Sequence, residues 1–404
     1  MKRKKQKLKI LFICQNFWPE NFRSTDVVKN LISDGNYIEV LTSNPNYPEG
    51  KIYKGYSWFN FKTEIFGNIK IHRIPTIPRG RNNYFLIFLN YLSFILFGIF
   101  FGFFKMFNKK FDIVLVFASS PIFQVIVGYF MKITVGAKLV TWVQDLWPEN
   151  LQALRIINNK ILLNKIRNFT KFLYNLNTII IGQSKSYVDV LKKRTTKKVY
   201  YVPNYSEIFN SSIIKKKKKN KNFVLVYAGN LGKAQKLLTL LKAANKLRHN
   251  KNFFIKIFGY GSEYPILKSY IIKNNIKNVK LCGKVSKTQI YKEYMNADAL
   301  FLSLSKNKYL NYTIPAKLQT YLSFGKPIIA SSNGEIKKII KESKSGLCSS
   351  SEDVKNLTFN INKMVNLNKR LIDKYSRNSK KYYYENFRSE LINFKFRKIF
   401  NKII

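Results

Sequence analysis

Cysteine, histidine and acid are all scarce in this chain of 404 residues: three Cys, two His and 21 Asp plus Glu, against 72 Lys plus Arg. Cys14, Cys282 and Cys348 are odd in number and far apart, which leaves no disulfide framework and no zinc spacing. Each lies in or beside an apolar run, as buried free thiols in a reducing compartment do. His72 sits in a strand-like segment and reads as a core or surface residue; His249 lies in a polar loop. Chemistry built on histidine acid–base pairs therefore has little to work with. Zinc spacings, RNA-recognition signatures and basic-zipper heptads are missing as well, which argues against a nucleic-acid reader despite a formal charge of +51. A secretory signal is not expected, because the apolar run behind the basic Met1–Lys9 is short and ends at Gln15-Asn16.

What is present points to an α/β protein of two domains. The length exceeds one ordinary core, and 46% hydrophobic residues is normal for a folded chain. Strand-like runs at Leu8–Cys14, Tyr37–Leu41, Ile69–Ile74, Phe111–Phe117 and Lys138–Val143 alternate with helical patterns such as Ser24–Ile32. A second set runs through Phe223–Tyr227, Phe254–Phe258, Val279–Cys282, Ala299–Leu304 and Pro327–Ala330. Such alternation implies parallel sheets covered on both faces, with ligands at the carboxyl ends of the strands. The segment Lys192–Lys221, with its Lys215–Lys219 run, reads as a solvated linker. The expected divisions are 1–205, 206–375 and a helical 376–404 that packs back on the first domain.

Tyr84–Phe107 is almost uniformly apolar and dense in Phe. A membrane-crossing helix is disfavoured, because it falls between strands of one sheet. It reads either as a buried cover for that sheet or as a helix lying in a lipid interface, with Arg79, Arg81, Lys105, Lys109 and Lys110 meeting anionic headgroups. The lysine excess fits a compositional bias spread over every solvated surface, and equally an anionic membrane face.

Three glycine turns follow strands of the second half. In Tyr227-Ala-Gly-Asn-Leu-Gly-Lys-Ala-Gln235, Gly229 and Gly232 allow close backbone approach, Lys233 adds a cation, and a helix expected over Lys236–Lys246 offers its N-terminus to a phosphate. The same glycines also serve a plain turn. Gly259 and Gly261 form a second such turn and Gly283 a third; jointly they argue for a nucleotide. Asn311–Ala330 reads as a loop, a helix entered at Pro315 and stopped at Gly325, then a buried strand. Glu335, in Asn333-Gly-Glu, is either a ligand to sugar hydroxyls or a first-turn helix acid. In the first half, Asp145 precedes Trp147-Pro148 and is either a hydroxyl-binding carboxylate, with Trp147 as a sugar platform, or a helix cap. Glu20, Arg23, Asn44, Tyr47 and Glu149 also follow strands.

The order of these motifs resembles glycosyltransferase family 4, of the GT-B type with two facing Rossmann-like domains. The likeness is strongest to the bacterial subgroup of N-acetylfucosaminyl transferases of O-antigen and capsule assembly. Phe17-Trp-Pro-Glu-Asn-Phe-Arg23, Asn44-Pro-Asn-Tyr-Pro-Glu-Gly-Lys51, Asn90-Tyr-Leu-Ser-Phe94 and Asp145-Leu-Trp-Pro-Glu149 carry the resemblance in the first half. It implies retaining transfer from a nucleotide-diphosphate sugar, a UDP-sugar by preference, without a metal or other cofactor. The donor would be bound through Gly229, Asn230, Gly232, Lys233, Gln235, Gly259, Gly261, Gly283, Lys284, Val285, Lys317, Gln319, Gly334 and Glu335. Asp145, Lys317 and Glu335 would act in catalysis, and Glu20, Arg23, Asn44, Tyr47, Asp145 and Glu149 would bind a lipid-linked saccharide acceptor. The paired glutamates usual near such a donor helix are replaced by Tyr312 and Thr320. Asn230 and Gln235 stand where many relatives carry Arg and Lys, which shifts the weight of phosphate binding onto Lys317. The expected setting is the cytoplasmic face of the cell membrane, with no nucleic-acid partner. A sugar-nucleotide epimerase of like architecture and a basic nucleic-acid-binding protein are the rival readings.

Overall fold

The computed structural model describes residues 7–81, 83–153, 156–206 and 222–404. The chain divides into two compact units, Met1–Val202 with Asn393–Ile404, and Pro203–Ile392. The division falls inside the segment expected to link the domains. Residues 207–221 of that segment, including the Lys215–Lys219 run, lie outside the described residues.

The first unit is built on an eight-stranded sheet: β1 (Lys9–Ile13), β2 (Tyr37–Ser43), β3 (Lys62–Phe66), β4 (Ile69–Ile74), β5 (Ile113–Ala118), β6 (Lys138–Val143), β7 (Ile179–Gly182) and β8 (Lys198–Tyr201). The order across the sheet is β3-β4-β2-β1-β5-β6-β7-β8. All pairings are parallel except β3 with β4. The central strands are apolar along their whole length because helices cover both faces, and β5 is buried at every residue. The chain winds outward in opposite directions from β1 and from β5, so their carboxyl ends mark the switch point where such sheets bind ligands.

The crossover from β4 to β5 is the helix Tyr84–Met106. Its buried residues, Asn90, Ser93, Phe94, Gly98, Gly102 and Met106, recur every three or four positions and form one stripe. Gly98 and Gly102 let that stripe lie close against the helix Gln124–Val135: a Cβ at Gly98 would stand 2.9 Å from Val127, and one at Gly102 3.1 Å from the Met131 sulfur. The rest of the helix is bare. Tyr84, Phe85, Phe88, Leu96, Phe100 and Phe104 are exposed, and only 28% of its most apolar window is buried. The sheet-covering reading thus holds for one stripe alone.

The second unit carries β9 (Phe223–Ala228), β10 (Phe253–Phe258), β11 (Val279–Gly283), β12 (Ala299–Ser303), β13 (Ile328–Ser331) and β14 (Gly346–Ser349), ordered β11-β10-β9-β12-β13-β14 and parallel throughout. Its switch point lies between β9 and β12. The helical tail is two helices. Lys369–Asn386 belongs to the second unit, and the far end of Ser389–Phe400 packs in the first, with Phe396 edge-on to Trp142.

Candidate active site

At the switch point of the second unit stands Lys317. It is carried on the helix Ala316–Ser323, which begins after Pro315 and is closed by Gly325 at φ +61°. The Lys317 ammonium donates to the Tyr227 hydroxyl at 2.6 Å and lies 4.1 Å from the centre of that ring. Tyr227 in turn donates to the Asn230 carbonyl at 2.7 Å. Backbone reaches the amine as closely as glycine permits: a Cβ at Gly229 would stand 2.5 Å from Nζ. No ion pair with an acid is found for it among the described residues, and burial pulls its pKa down to about 7.

The glycine turns around Lys317 are knitted to one another. Gly229 N–H donates to the Phe258 carbonyl, Leu231 N–H to Tyr260 and Gly259 N–H to Gly283. At Gly259, held at φ +126°, a Cβ would fall 1.9 Å from the Gly229 carbonyl oxygen, so only glycine fits. Gly261 packs as tightly on Leu231. Gly232 N–H is accepted by the Gln235 side chain at 3.2 Å. The amides of Gly229, Leu231, Gly232 and Gly259 are therefore engaged within the loops, so Gly229 and Gly232 serve close backbone packing in the turn. The expected helix also starts late: Lys233–Gln235 is a single 3₁₀ turn, Lys236 takes a left-handed φ of +45°, and the α-helix runs Leu238–Lys246. Asn230 and Lys233 remain exposed.

Gln235 fastens the turn to β12, its carbonyl accepting from the Ser303 hydroxyl. Gln319, expected to meet the donor, is fully buried, and its amide donates to the Asn204 carbonyl instead. Gly283 ends β11 at φ +69°, with Lys284 and Val285 exposed beyond it. After β13, Gly334 at φ +62° abuts the loop that feeds Lys317: a Cβ there would stand 2.0 Å from the Asn311 carbonyl oxygen. Glu335 follows in the first turn of the helix Gly334–Ser343, buried, with Lys338 at 3.8 Å. Thr320 bonds back to the Ala316 carbonyl of its own helix, and Tyr312 ends a 3₁₀ turn. The donor candidates other than Gln319 thus gather along one edge of the sheet.

The first unit sorts its candidates differently. Asp145, after β6, accepts from the Ser120 amide at 2.9 Å and hydroxyl at 3.0 Å, and burial raises its pKa. It ties to the loop after β5 and does not cap the helix Glu149–Ala153. Trp147 is buried and donates to the Ser120 hydroxyl, so it offers no open platform for a sugar ring. Glu149 is gripped by Arg194 at 2.6 and 2.9 Å. Glu20 is buried and accepts from the amides of Asn46 (2.8 Å) and Tyr47 (2.7 Å), clamping the loop after β2 to the loop after β1. Asn44 is buried and donates to the Asn60 and Ile74 carbonyls. These three are scaffold. Arg23 is half-exposed at the start of the helix Arg23–Ser33. Tyr47 remains open, with the Arg79 guanidinium 4.9 Å above its ring. His72 is core: buried, 2.6 Å from Glu39 and 3.0 Å from Thr63. Among the described residues no three His, Cys, Asp or Glu side chains group as a metal site requires.

Residues 208–382 match the family model described as Glycosyl transferases group 1. No curated protein matches the chain. Solved structures align with nearly its whole length. Sucrose-phosphate synthase from Thermosynechococcus elongatus is 12% identical over 98% of this chain and 99% of that one, with a TM-score of 0.74. Anabaena HepE, solved with UDP and glucose, is 13% identical over 98% and 99%, with a TM-score of 0.68. The lipopolysaccharide outer core galactosyltransferase WaaB is 16% identical over 98% and 100%, with a TM-score of 0.64. The fold is therefore GT-B, two Rossmann-like units with parallel sheets, and the match to the group 1 model lies within the second unit.

Proposed function

We propose that this chain is a retaining glycosyltransferase. Its donor is a nucleotide-diphosphate sugar, a UDP-sugar by preference, and its acceptor a polyprenyl-diphosphate-linked saccharide of a growing surface polysaccharide such as O-antigen or capsule. The observation that carries the reading is Lys317. A buried cation with no acid partner among the described residues, at the switch point of a parallel sheet and hemmed by glycine turns, suits the diphosphate of a nucleotide sugar. In transfer, an acceptor hydroxyl oxygen bonds to the anomeric carbon as the carbon–oxygen bond to the diphosphate breaks. The nucleoside diphosphate leaves with the bonding pair, and the hydroxyl proton goes to its phosphate. Lys317 and the exposed Lys233 neutralise the charge that develops there, in the role a metal serves elsewhere. Asp145 orients the acceptor. The UDP present with the Anabaena protein supports a uridine donor. Retention, and the N-acetylfucosaminyl subgroup of family 4, rest on motif resemblance.

The bare aromatic face of Tyr84–Met106, with Lys105 and the exposed Lys110 near its end, supports peripheral attachment to the anionic inner face of the cell membrane; Lys109 is instead paired with Glu39 at 2.7 Å. A panel of sugar nucleotides tests the enzymatic reading: one donor should raise the melting temperature and be hydrolysed slowly. Silence across every uracil, guanine and thymine sugar nucleotide would overturn it. Flotation with anionic vesicles tests attachment, and steeply salt-sensitive binding of duplex or RNA instead would favour the nucleic-acid rival.

A further inference from the structure

The motif Asn44-Pro-Asn-Tyr-Pro-Glu-Gly-Lys51 is not spent on a ligand of its own; it builds a seat for an arginine distant in sequence. Asn46 accepts from the Arg79 amide at 3.2 Å through its side chain, which also donates to the Asn44 carbonyl. Next along, Gly80 N–H donates to the Gly50 carbonyl at 3.1 Å. The two backbones touch there: a Cβ at Gly50 would fall 2.2 Å from the Gly80 carbonyl carbon. Glu20 pins the amides of Asn46 and Tyr47 from the other side. These contacts fix Arg79 with its guanidinium 4.9 Å over the Tyr47 ring.

Among the described residues Arg79 makes no ion pair within 4.0 Å, whereas the buried Arg73 is matched with Glu64 and Arg194 with Glu149. A guanidinium presents a rigid fork of donors suited to phosphate oxygens, and stacking on a ring leaves the fork free at its edge. Two turns into the apolar crossover helix stands Tyr91, whose hydroxyl feels the Arg79 charge. Burial raises the pKa of the Tyr91 hydroxyl, while the Arg79 charge works against that shift and Asp145 and Tyr47 add to it. The helix carries this hydroxyl at its amino-terminal end, while its bare Phe face extends away over further turns. An anion recognised at Arg79 and Tyr91 therefore meets an apolar surface directly alongside.

We propose that Arg79 and Tyr91, seated by the Asn44–Lys51 loop, receive the diphosphate of the lipid-linked acceptor. The proposal rests on the glycosyltransferase reading above and assigns to the acceptor two residues that the sequence reading had not placed there. It assigns Arg79 to the acceptor's own phosphates, distinct from membrane headgroups and from the diphosphate of the donor.

The test uses the full chain with UDP present at saturation to fill the donor site. Farnesyl diphosphate should bind roughly tenfold or more tightly than farnesol, and more tightly than inorganic pyrophosphate, because head and tail are both recognised. Arg79→Ala should abolish the preference for the diphosphate over the alcohol. Arg79→Lys should restore part of it, and Tyr91→Phe should weaken it while keeping the ring. Equal binding of farnesyl diphosphate and farnesol by the wild type, or an unchanged preference in Arg79→Ala, overturns the proposal. If Arg79→Ala loses flotation on phosphatidylglycerol vesicles yet keeps the preference, Arg79 is a headgroup contact and the proposal fails. Donor hydrolysis by the wild type is scored separately: its absence sinks the glycosyltransferase reading, while the farnesyl diphosphate result still decides the anion site.

Discussion

The Lys317 ammonium lies 2.6 Å from the Tyr227 hydroxyl and 4.1 Å from the centre of its ring, so one side chain supplies both a lone pair and a π face to the cation. Both are weak substitutes for a carboxylate. The amine, with a pKa drawn to about 7, is left short of charge until an anion arrives.

A pH signature follows from this. Below about pH 7 Lys317 is already protonated, so donor binding takes up no proton. Above that value the free amine is neutral, and a bound diphosphate raises its pKa, so binding takes up close to one proton and weakens as pH rises. Calorimetry of UDP binding at pH 6 and pH 8.5, in buffers of different ionisation enthalpy, measures this directly. Lys317→Ala should lose the uptake and at least roughly a hundredfold in kcat/KM, a loss typical of a single charge-stabilising donor. Thr320→Ala, whose hydroxyl bonds only within its unit and largely to its own helix, should change kcat/KM far less.

Gly334→Ala should damage activity out of proportion to the size of a methyl group. The new Cβ would strike the Asn311 carbonyl oxygen, placed 2.0 Å away, and the backbone would have to leave φ +62°. The displaced loop is the one that delivers Lys317. Donor affinity by thermal shift should fall sharply even where circular dichroism reports an intact fold; full retention of donor affinity would refute the account of this loop.

Glu149 reads as an acceptor-binding acid in sequence and as a strut in the fold. Its pairing with Arg194 is largely buried, with side-chain exposures of 5% and 10%. Removing one partner of such a pair costs about 3–5 kcal/mol. Arg194→Ala should therefore lower stability to urea by that order, while turnover per folded molecule stays within a few-fold of wild type.

How far the chain could be read in advance depended on burial. Parallel strands covered on both faces are continuous apolar runs, and all of those expected are present. β3 escaped because an edge strand with alternate residues exposed, Lys62–Phe66, does not stand out from a loop. β7, β8 and β14, four residues each, escaped as well; the equally short β13 was found because Gly325 and Pro327 mark where it begins. In the site, Lys317 and Asp145 were legible because each follows a strand within a motif. Arg79 was read only as a headgroup contact and Tyr91 only as part of the motif Asn90-Tyr-Leu-Ser-Phe94, because an irregular segment and an apolar helix give no sign of which charge stands near which hydroxyl. The seat of Arg79 forms where Gly50 and Gly80 let two loops touch. Gln319 misled in the opposite sense, since its motif neighbours face the site while its own amide is turned inward.

Lys344→Gly should stabilise the protein. Lys344 closes the helix Gly334–Ser343 at φ +48° and is exposed, so the lysine side chain gains nothing to offset a left-handed backbone. Glycine at such a position is worth up to about 1 kcal/mol. A rise in melting temperature of a few degrees without change in activity is the expected result.

Phe100→Ser with Phe104→Ser should weaken flotation on anionic vesicles without unfolding the chain, because both rings are more than half exposed. Phe101 is a poorer choice despite its position between them. Its ring packs on Phe61 at 4.4 Å, and replacing it should cost stability as well.

The helix Tyr84–Met106 connects β4 to β5 while keeping its aromatic face bare. Many lipid-associating proteins can be trimmed, because the greasy segment is an appendage and a truncated fragment survives in plain buffer. That route is closed for this chain. Excision would sever the backbone between two strands of one sheet and strip the cover from Leu41, Ile74 and Val127. Handling the protein without detergent therefore calls for repainting the outer face of the helix one residue at a time, with its inner stripe of Asn90, Ser93, Phe94, Gly98 and Gly102 left untouched.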